Sequence, residues 1–397
     1  MARSSRADGE SRPGYPGAHA TGGGPSVTKK ATVYDVAERA GVSIATVSRV
    51  LRQPDAVRPV TRERVLDSVA ALGYVPSGSA RGLAERRTGV LGLYFPGFDA
   101  SEDAPVFDVL AGDQAEVPPF TVEQASADAG APHPTMLFLD EVLRGAELEA
   151  WKQGFVLMIG VGRGDPARET VRDIAGRVDG LMVLAQSVPD DVLARLAQRI
   201  PVVVLSGPAR GDSYDHVTVS NAEAMSELTR LVLAQADPGG LAFLAGPEDS
   251  PDGAQRWEGF AAAIAEAGIA ADDVTVLRGD FTRASGRRAA EELIARGAPA
   301  ALVAANDQMA LGAIDAFRSA GIRVPDDVRV TGFDGIEAAA LSRPTLTTVR
   351  QPMIDLGRAA VQLLARRLEQ PDAEPMTVRL PLQILVRESS QRPARAV

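Results

Sequence analysis

The chain of 397 residues contains no cysteine. That absence removes disulfides, thiolate zinc sites and cysteine nucleophiles at once. Histidine is scarce as well: His19, His133 and His216 stand far apart, without metal-ligand spacing. No stretch approaches the roughly 18 uninterrupted apolar residues of a membrane span. Residues 1–30 lack the apolar core of a secretory signal and are rich in Gly, Ser, Pro and Ala, so they read as a disordered tail. A cytoplasmic address is expected. A serine elbow and a phosphate-binding loop are also missing. Gly160-Val-Gly-Arg-Gly164 follows a strand, but its spacing is G-x-G-x-G, and no acidic strand-end partner stands about 20 residues on. The expectation is a protein that is not an enzyme and needs no cofactor or metal.

What is present is unevenly charged. The net charge is −10, yet residues 1–89 carry 14 Lys/Arg against 8 Asp/Glu, and the remainder carries 28 against 44. A positive head on a negative body suggests that the head alone meets a polyanion; chance asymmetry is the bland alternative.

Three short helices are legible in that head. Thr32 is placed as an N-cap, with Asp35 three residues on as in a capping box. Val33, Val36, Ala37 and Ala40 then share one helical face. Gly41 permits a tight turn, and Ser43 can cap a second helix with a buried stripe of Val47, Val50 and Leu51. Pro54 ends that helix. Thr61 can open a third, with Val65, Leu66, Val69 and Leu72 as its apolar face, and Gly73 stops it. Helix, Gly-Val-Ser, helix is the geometry that lays a second helix into a major groove. Its outward residues are Ile44, Ala45, Ser48, Arg49 and Arg52. Arg49 can donate twice to a guanine edge, and Ile44 or Ala45 can touch a thymine methyl. Thr32, Ser43, Thr46 and Ser48 suit phosphates. A small solvated helical bundle with ordinary caps would show the same three helices.

The run Thr32-Val-Tyr-Asp-Val-Ala-Glu-Arg-Ala-Gly-Val-Ser-Ile-Ala-Thr-Val-Ser-Arg-Val-Leu51 closely resembles the DNA-binding signature of the lactose-repressor (LacI/GalR) family. Val60-Thr-Arg-Glu-Arg-Val65 and Leu72-Gly-Tyr-Val-Pro76 continue the match. Arg52 stands where the family usually has Asn, and Arg58 where it has a small polar residue. The resemblance implies a helix-turn-helix domain over 31–76 and a hinge helix over 77–88 that orders on operator DNA. In that hinge Leu83 would wedge a minor-groove base step beside Arg81. Gly78 and Gly82 make the isolated helix costly, and Ser77 replaces a usual Asn. A plain flexible linker is the other reading.

From Gly89 on, strand-like and helix-like segments alternate. Strands are expected at 89–95, 155–161, 180–185, 201–206, 216–220, 241–246, 274–280, 301–305 and 328–334, with helices such as 137–153 and 307–320 between them. Such alternation argues parallel sheets covered on both faces, here in two α/β lobes. Ligands of such sheets bind beyond the carboxyl ends of the strands. Arg256-Trp-Glu-Gly-Phe260, Ala305-Asn-Asp-Gln-Met-Ala-Leu-Gly312 and Val330-Thr-Gly-Phe-Asp334 resemble the family's effector domain, itself similar to periplasmic sugar-binding proteins. By that resemblance Arg256, Asn306 and Asp334 hold ligand hydroxyls, which suits a fork donor, an amide and an acceptor. Mundane alternatives exist: Asn306 as a helix cap, Asp307 serving the helix dipole, Arg256 on the surface.

The first lobe departs from the family. Thr135–Gly145 stands where an Asn-Pro-aromatic helix start is usual. Asn and Pro are missing, leaving Phe138 as the ring-stacking candidate. Residues 99–134 form an apparent insertion with eight acidic residues and no Lys or Arg, either a lid or an inert loop. Asn221 is expected near the crossover between lobes, with Ser220 where the family has Asp. The lobed domain is taken as 89–388 and residues 389–397 as a tail without a heptad repeat.

The resemblance therefore implies a repressor of transcription: a homodimer on a pseudopalindromic operator in the nucleoid, controlled allosterically by a sugar or sugar derivative bound between the lobes. A sugar-binding protein that only senses or transports is the runner-up, and the helix-turn-helix counts against it.

Overall fold

The computed structural model describes residues 31–52, 54–74, 87–96, 137–162, 167–208, 211–235 and 240–391. The tail 1–30, Arg81, Leu83 and most of the hinge, and the insertion 99–134 lie outside the described residues. The chain divides into two units, a head and a body, separated at Arg81–Gly82.

The head holds α1 (Val33–Ala40), α2 (Ile44–Arg52), a 3-10 turn at Pro54–Ala56 and α3 (Pro59–Leu72). Its core is Val36, Ala37, Ala40, Val47, Val50 and Val65, the stripes that helical spacing dictates. Two details differ from expectation. The third helix starts at Pro59, where a fixed φ and a missing N–H suit the first turn; Thr61 lies inside it. Leu66 is 44% exposed, and Ser68 is buried instead. Its hydroxyl can turn inward because it donates to the Arg64 carbonyl at 2.8 Å.

The body consists of two six-stranded sheets, in orders β11-β5-β4-β3-β1-β2 and β12-β10-β9-β8-β6-β7. In lobe 1, β1 (Val90–Pro96), α4 (Leu137–Lys152), β2 (Val156–Gly162), α5 (Ala167–Ala175), β3 (Gly180–Leu184), α6 (Asp190–Ala197), β4 (Val202–Leu205) and β5 (Asp215–Val219) follow one another. The chain then crosses into lobe 2 with α7 (Asn221–Leu233), β6 (Leu241–Ala245), α8 (Pro251–Glu266), β7 (Thr275–Arg278), α9 (Arg283–Arg296), β8 (Ala301–Ala304), α10 (Asp307–Ser319), β9 (Arg329–Asp334), α11 (Glu337–Leu341) and β10 (Thr347–Arg350). It returns to lobe 1 through α12 (Met353–Glu369) and β11 (Thr377–Leu380), and ends in lobe 2 with β12 (Gln383–Leu385). All strand pairs are parallel except β10–β12. Among the described residues no helix is long and apolar enough to cross a membrane.

Lobe 1 shows why its strands are nearly all apolar. Leu91, Leu93 and Phe95 face one core, while Tyr94, Leu181 and Val183 face another on the opposite side of the sheet. A strand covered on both faces has no polar side to alternate with. In each lobe a helix pair meets through glycine. A Cβ on Gly145 of α4 would strike the Ile354 carbonyl of α12, and one on Gly357 would strike that of Val142. In lobe 2, Gly286 of α9 and Gly312 of α10 stand in the same reciprocal relation to Met309 and Arg283.

Strand β10 and the two late strands were absent from the expected set, because they are short and carry a half-polar pattern. The domain boundary at 388 is also revised. Ser389 and Ser390 are buried. The Ser389 hydroxyl donates to the Val330 carbonyl at 2.6 Å and accepts from the Thr347 N–H at 2.8 Å, stitching the segment after β12 to β9 and β10.

Candidate functional site

In the head, the capping box is formed. Thr32 N–H donates to Asp35 Oδ2 at 2.7 Å, and Asp35 N–H returns to Thr32 Oγ1 at 3.4 Å. Gly41 takes φ +61, which lets the chain turn between α1 and α2. Ser43 Oγ accepts from Thr46 N–H at 3.2 Å and lies 2.9 Å from Thr46 Oγ1. The start of α2 thus carries two hydroxyls and the free amides of a helix N-terminus, a group suited to phosphate oxygens. Ile44, Ala45 and Arg49 are exposed on one face of α2, while Thr46 and Ser48 are half-buried. Ser48, expected on the outward face with them, is therefore less open than Ile44, Ala45 and Arg49. Arg52 ends α2. The sequence reading overlooked Tyr34, whose ring stands 69% exposed on α1.

In the body, Phe138, Arg256, Asn306 and Asp334 line one cavity of about 200 Å³ between the lobes. Its wall from lobe 2 is polar and highly constrained. Asp334 ends β9 at φ +118, a region that a residue with a Cβ adopts only under strain. The strain is held by neighbours: Gly335 N–H and Ile336 N–H donate to Asp307 Oδ2 at 2.7 and 3.0 Å, and Thr348 Oγ1 donates to Asp307 Oδ1 at 2.6 Å. Asp307, wholly buried, is therefore the latch of the turn that presents Asp334 and does not line the cavity.

Asp334 Oδ1 accepts from Gln351 Nε2 at 2.8 Å and lies 3.4 Å from Arg256 Nη1. Arg256 in turn donates to Asn221 Oδ1 at 3.1 Å and to the Ala305 carbonyl at 2.7 Å, and its Cζ sits 4.0 Å over the Phe333 ring. Among the described residues, Asp334 Oδ2 and Arg256 Nη2 carry no hydrogen bond. The cavity thus keeps one carboxylate acceptor and one guanidinium donor in reserve. Burial pushes Asp334 up to about 6 despite Arg256 and Gln351. Burial, with the charge of Asp334 second, raises Asp307 well above the carboxylate range.

Asn306 does what the mundane reading proposed and lines the cavity as well. Its Oδ1 caps α10 by accepting from Met309 N–H at 3.0 Å, and its Nδ2 donates to the Phe281 carbonyl at 3.0 Å. Asn221 lies where the chain crosses from β5 to α7, buried and outside the cavity. It donates to Asp252 Oδ1 at 2.8 Å. Asp252 was not anticipated. It lines the cavity and accepts from Gly207 N–H at 3.0 Å, joining lobe 1 to the first turn of α8. Ser250-Pro-Asp-Gly with Arg256 four residues beyond Asp252 was the available signal, since both fall on one helix face. Phe281, at φ +66 after β7, also lines the cavity, and nothing in its local sequence marked it. The lobe 1 wall is largely apolar: Leu137, Phe138 and Leu139 from the start of α4, and Leu184 to Ser187 at the end of β3.

These observations meet the following likenesses. Residues 32–77 match the model of bacterial regulatory proteins of the lacI family, and residues 240–390 match a periplasmic binding protein-like domain. An HTH-type transcriptional repressor, PurR of Erwinia tasmaniensis, is 31% identical over 366 residues, covering 90% of this chain and 96% of its own. The solved complex of the transcriptional regulator CelR with cellobiose is 30% identical, with a TM-score of 0.61, covering 90% of this chain and 99% of that one. The lac repressor dimer solved on operator with an anti-inducer shares the fold, with a TM-score of 0.73 at 24% identity over 92% of this chain and 100% of that one.

Proposed function

The chain belongs to the lacI family of bacterial regulatory proteins, and we propose that it is a repressor whose operator affinity is set by a sugar or sugar derivative bound between its lobes. It is a transcriptional regulator with a helix-turn-helix DNA-binding domain and a ligand-binding domain. The observation that carries the finer reading is the reserved pair in the cavity, Asp334 Oδ2 and Arg256 Nη2, beside the Phe138 ring. A polyol presents neighbouring hydroxyls that donate to a carboxylate and accept from a guanidinium, and an apolar ring face that stacks on an aromatic. The cellobiose complex of the 30% identical regulator supports this ligand class.

The protein acts as a homodimer on a pseudopalindrome, with one recognition helix per half-site. Arg49, Ile44 and Ala45 read base edges; Thr32, Ser43, Thr46, Ser48 and Arg52 hold phosphates; Arg81 and Leu83 enter the central minor groove. Ligand in the cavity changes how the lobes face each other across the Asp252–Gly207 joint. That shifts the population in which two hinge segments pair, and linkage changes DNA affinity.

The test is gel-shift binding of the full chain to its own upstream intergenic DNA, titrated with a panel of sugars. Specific binding altered by one sugar is the expected result. Specific binding indifferent to every sugar would remove the carbohydrate assignment. A second arm uses Leu83→Ala, which should weaken operator binding and leave sugar binding intact; unchanged operator affinity would remove the wedge.

A further inference from the structure

A second pocket, with a cavity volume of about 740 Å³, opens in lobe 1 among Thr88, the end of α5, the end of α6 and the end of α12. Five arginines line it, Arg87, Arg172, Arg195, Arg199 and Arg367, against one acidic residue, Asp179. Their surroundings are the reverse, since residues 90–397 hold 28 basic and 44 acidic residues. A cluster of this kind raises the local potential far above that of the acidic body and focuses it in a concavity.

The arginines fall into two groups. Arg195 pairs with Asp191, and Arg367 grips Asp215 through two nitrogens at 3.1 and 2.9 Å. The other three have no carboxylate partner among the described residues. Arg87 donates to the Leu368 carbonyl. Arg172 and Arg199 are exposed, and their side chains make no hydrogen bond or ion pair among the described residues. Asp179 forms no ion pair with them among the described residues; its oxygens are directed at the chain entering β1, accepting from Thr88 N–H at 2.5 Å, Thr88 Oγ1 at 2.9 Å and Gly89 N–H at 2.7 Å, and its single charge leaves the cluster strongly positive.

We propose that this pocket is a second ligand site, separate from the interlobe cavity, and that it takes a small multivalent phosphate such as a nucleoside polyphosphate. Arginines from separate elements line one concavity, and guanidiniums such as those of Arg172 and Arg199 can grip several phosphate oxygens in fork geometry. Arg87 and Thr88, the last two residues of the hinge segment and the ones of it that are described, line the site. An occupant therefore touches the chain at the point where the body hands over to the DNA-binding head, and it can bias the hinge without entering the cleft.

The probe is inorganic tripolyphosphate, titrated calorimetrically into the full chain and into the double variant Arg172→Ser/Arg199→Ser. Both residues are exposed, so the variant should fold, and its melting curve checks this. The expected result is saturable binding that weakens on adding salt and falls about tenfold or more in the double variant. Equal binding by both proteins would place the anion on the basic head and overturn the proposal. Absence of binding would overturn it as well. A parallel gel shift with a mixed-sequence duplex separates the other phosphate source. If the double variant loses DNA affinity and salt slope while tripolyphosphate does not bind, the arginines serve the DNA backbone and the small-ligand site is refuted.

Discussion

The two walls of the interlobe cavity are built by opposite means. Lobe 2 supplies Arg256, Asn306 and Asp334, each already held by neighbours in its own lobe, with Asp334 kept at a strained φ by the Asp307 latch. Lobe 1 supplies the apolar start of α4 and the short loop after β3. The polar wall fixes orientation, because hydrogen bonds are directional and its groups cannot relax. The apolar wall contributes contact area, which is not directional. On the proposed reading, a ligand can be gripped by lobe 2 in either lobe arrangement and gains its stacking contacts only when lobe 1 approaches. State dependence then resides in the less constrained wall.

The largest effects should come from what both lobes share. Gly145→Val in lobe 1 and Gly312→Val in lobe 2 each drive a side chain into a carbonyl of the partner helix. Each should destabilise the body by about 3 kcal/mol or more. Calorimetric melting reads this, and a variant with an unchanged Tm would show that the helix pairs can part freely. Two separate transitions after either substitution would show that the lobes unfold independently.

The next effect separates the walls. Arg256→Ala leaves Asp334 without its cation and also strips a donor from Asn221 and Ala305. It should cost about 3–5 kcal/mol of stability, because an uncompensated charge stays buried, and abolish ligand binding. Asp334→Ala is the gentler probe: ligand response should vanish while DNA binding persists. A normal response would remove Asp334 from the ligand's contacts. On the opposite wall, Phe138→Ala should keep the fold, since the ring is only half-buried, and weaken ligand binding about tenfold through lost stacking area. Titration of the purified variant with the active sugar measures it. No change in affinity would mean that lobe 1 holds the ligand elsewhere along its wall.

The same division governs what the sequence made legible. Strand and helix alternation gave the lobes, because doubly covered strands are continuous apolar runs. Strand-end positions pointed to Asn306 and Asp334, because parallel sheets place their carboxyl ends at the cleft, and the family resemblance added Arg256, which lies inside α8. The capping pattern Thr32–Asp35 and the turn at Gly41 gave the head. What stayed hidden depends on the tertiary arrangement. Phe281 lines the cavity because its backbone turns through positive φ after β7, and Asp252 matters because Gly207 of the other lobe reaches it. The arginines of the second pocket come from segments as distant as 87 and 367, and no local pattern joins them. Ser389 and Ser390 looked like a tail, because their partners Val330 and Thr347 lie 40 or more residues away.

The smallest predicted effect sharpens the contrast between walls most cleanly. Burial holds Asp334 at about 6, above the usual carboxylate value. The folded chain therefore keeps a proton that the unfolded chain releases between about pH 4 and pH 6. Stability from this group is full below about pH 4, falls as pH rises through that window, and stays at its reduced level above it. On the proposed reading ligand binding runs the other way, because a hydroxyl donates more strongly to the charged carboxylate than to the neutral acid. Affinity should drop up to about twofold from pH 8 to pH 6 and by up to about tenfold for the next unit, levelling where the neutral acid is the acceptor. The Phe138 contribution carries no titrating group. Phe138→Ala should lower the whole affinity–pH curve and leave its bend near pH 6, whereas Asp334→Asn should flatten the bend. A bend that survives Asp334→Asn would assign the titration to another group and dissolve the distinction between a wall that orients and a wall that covers.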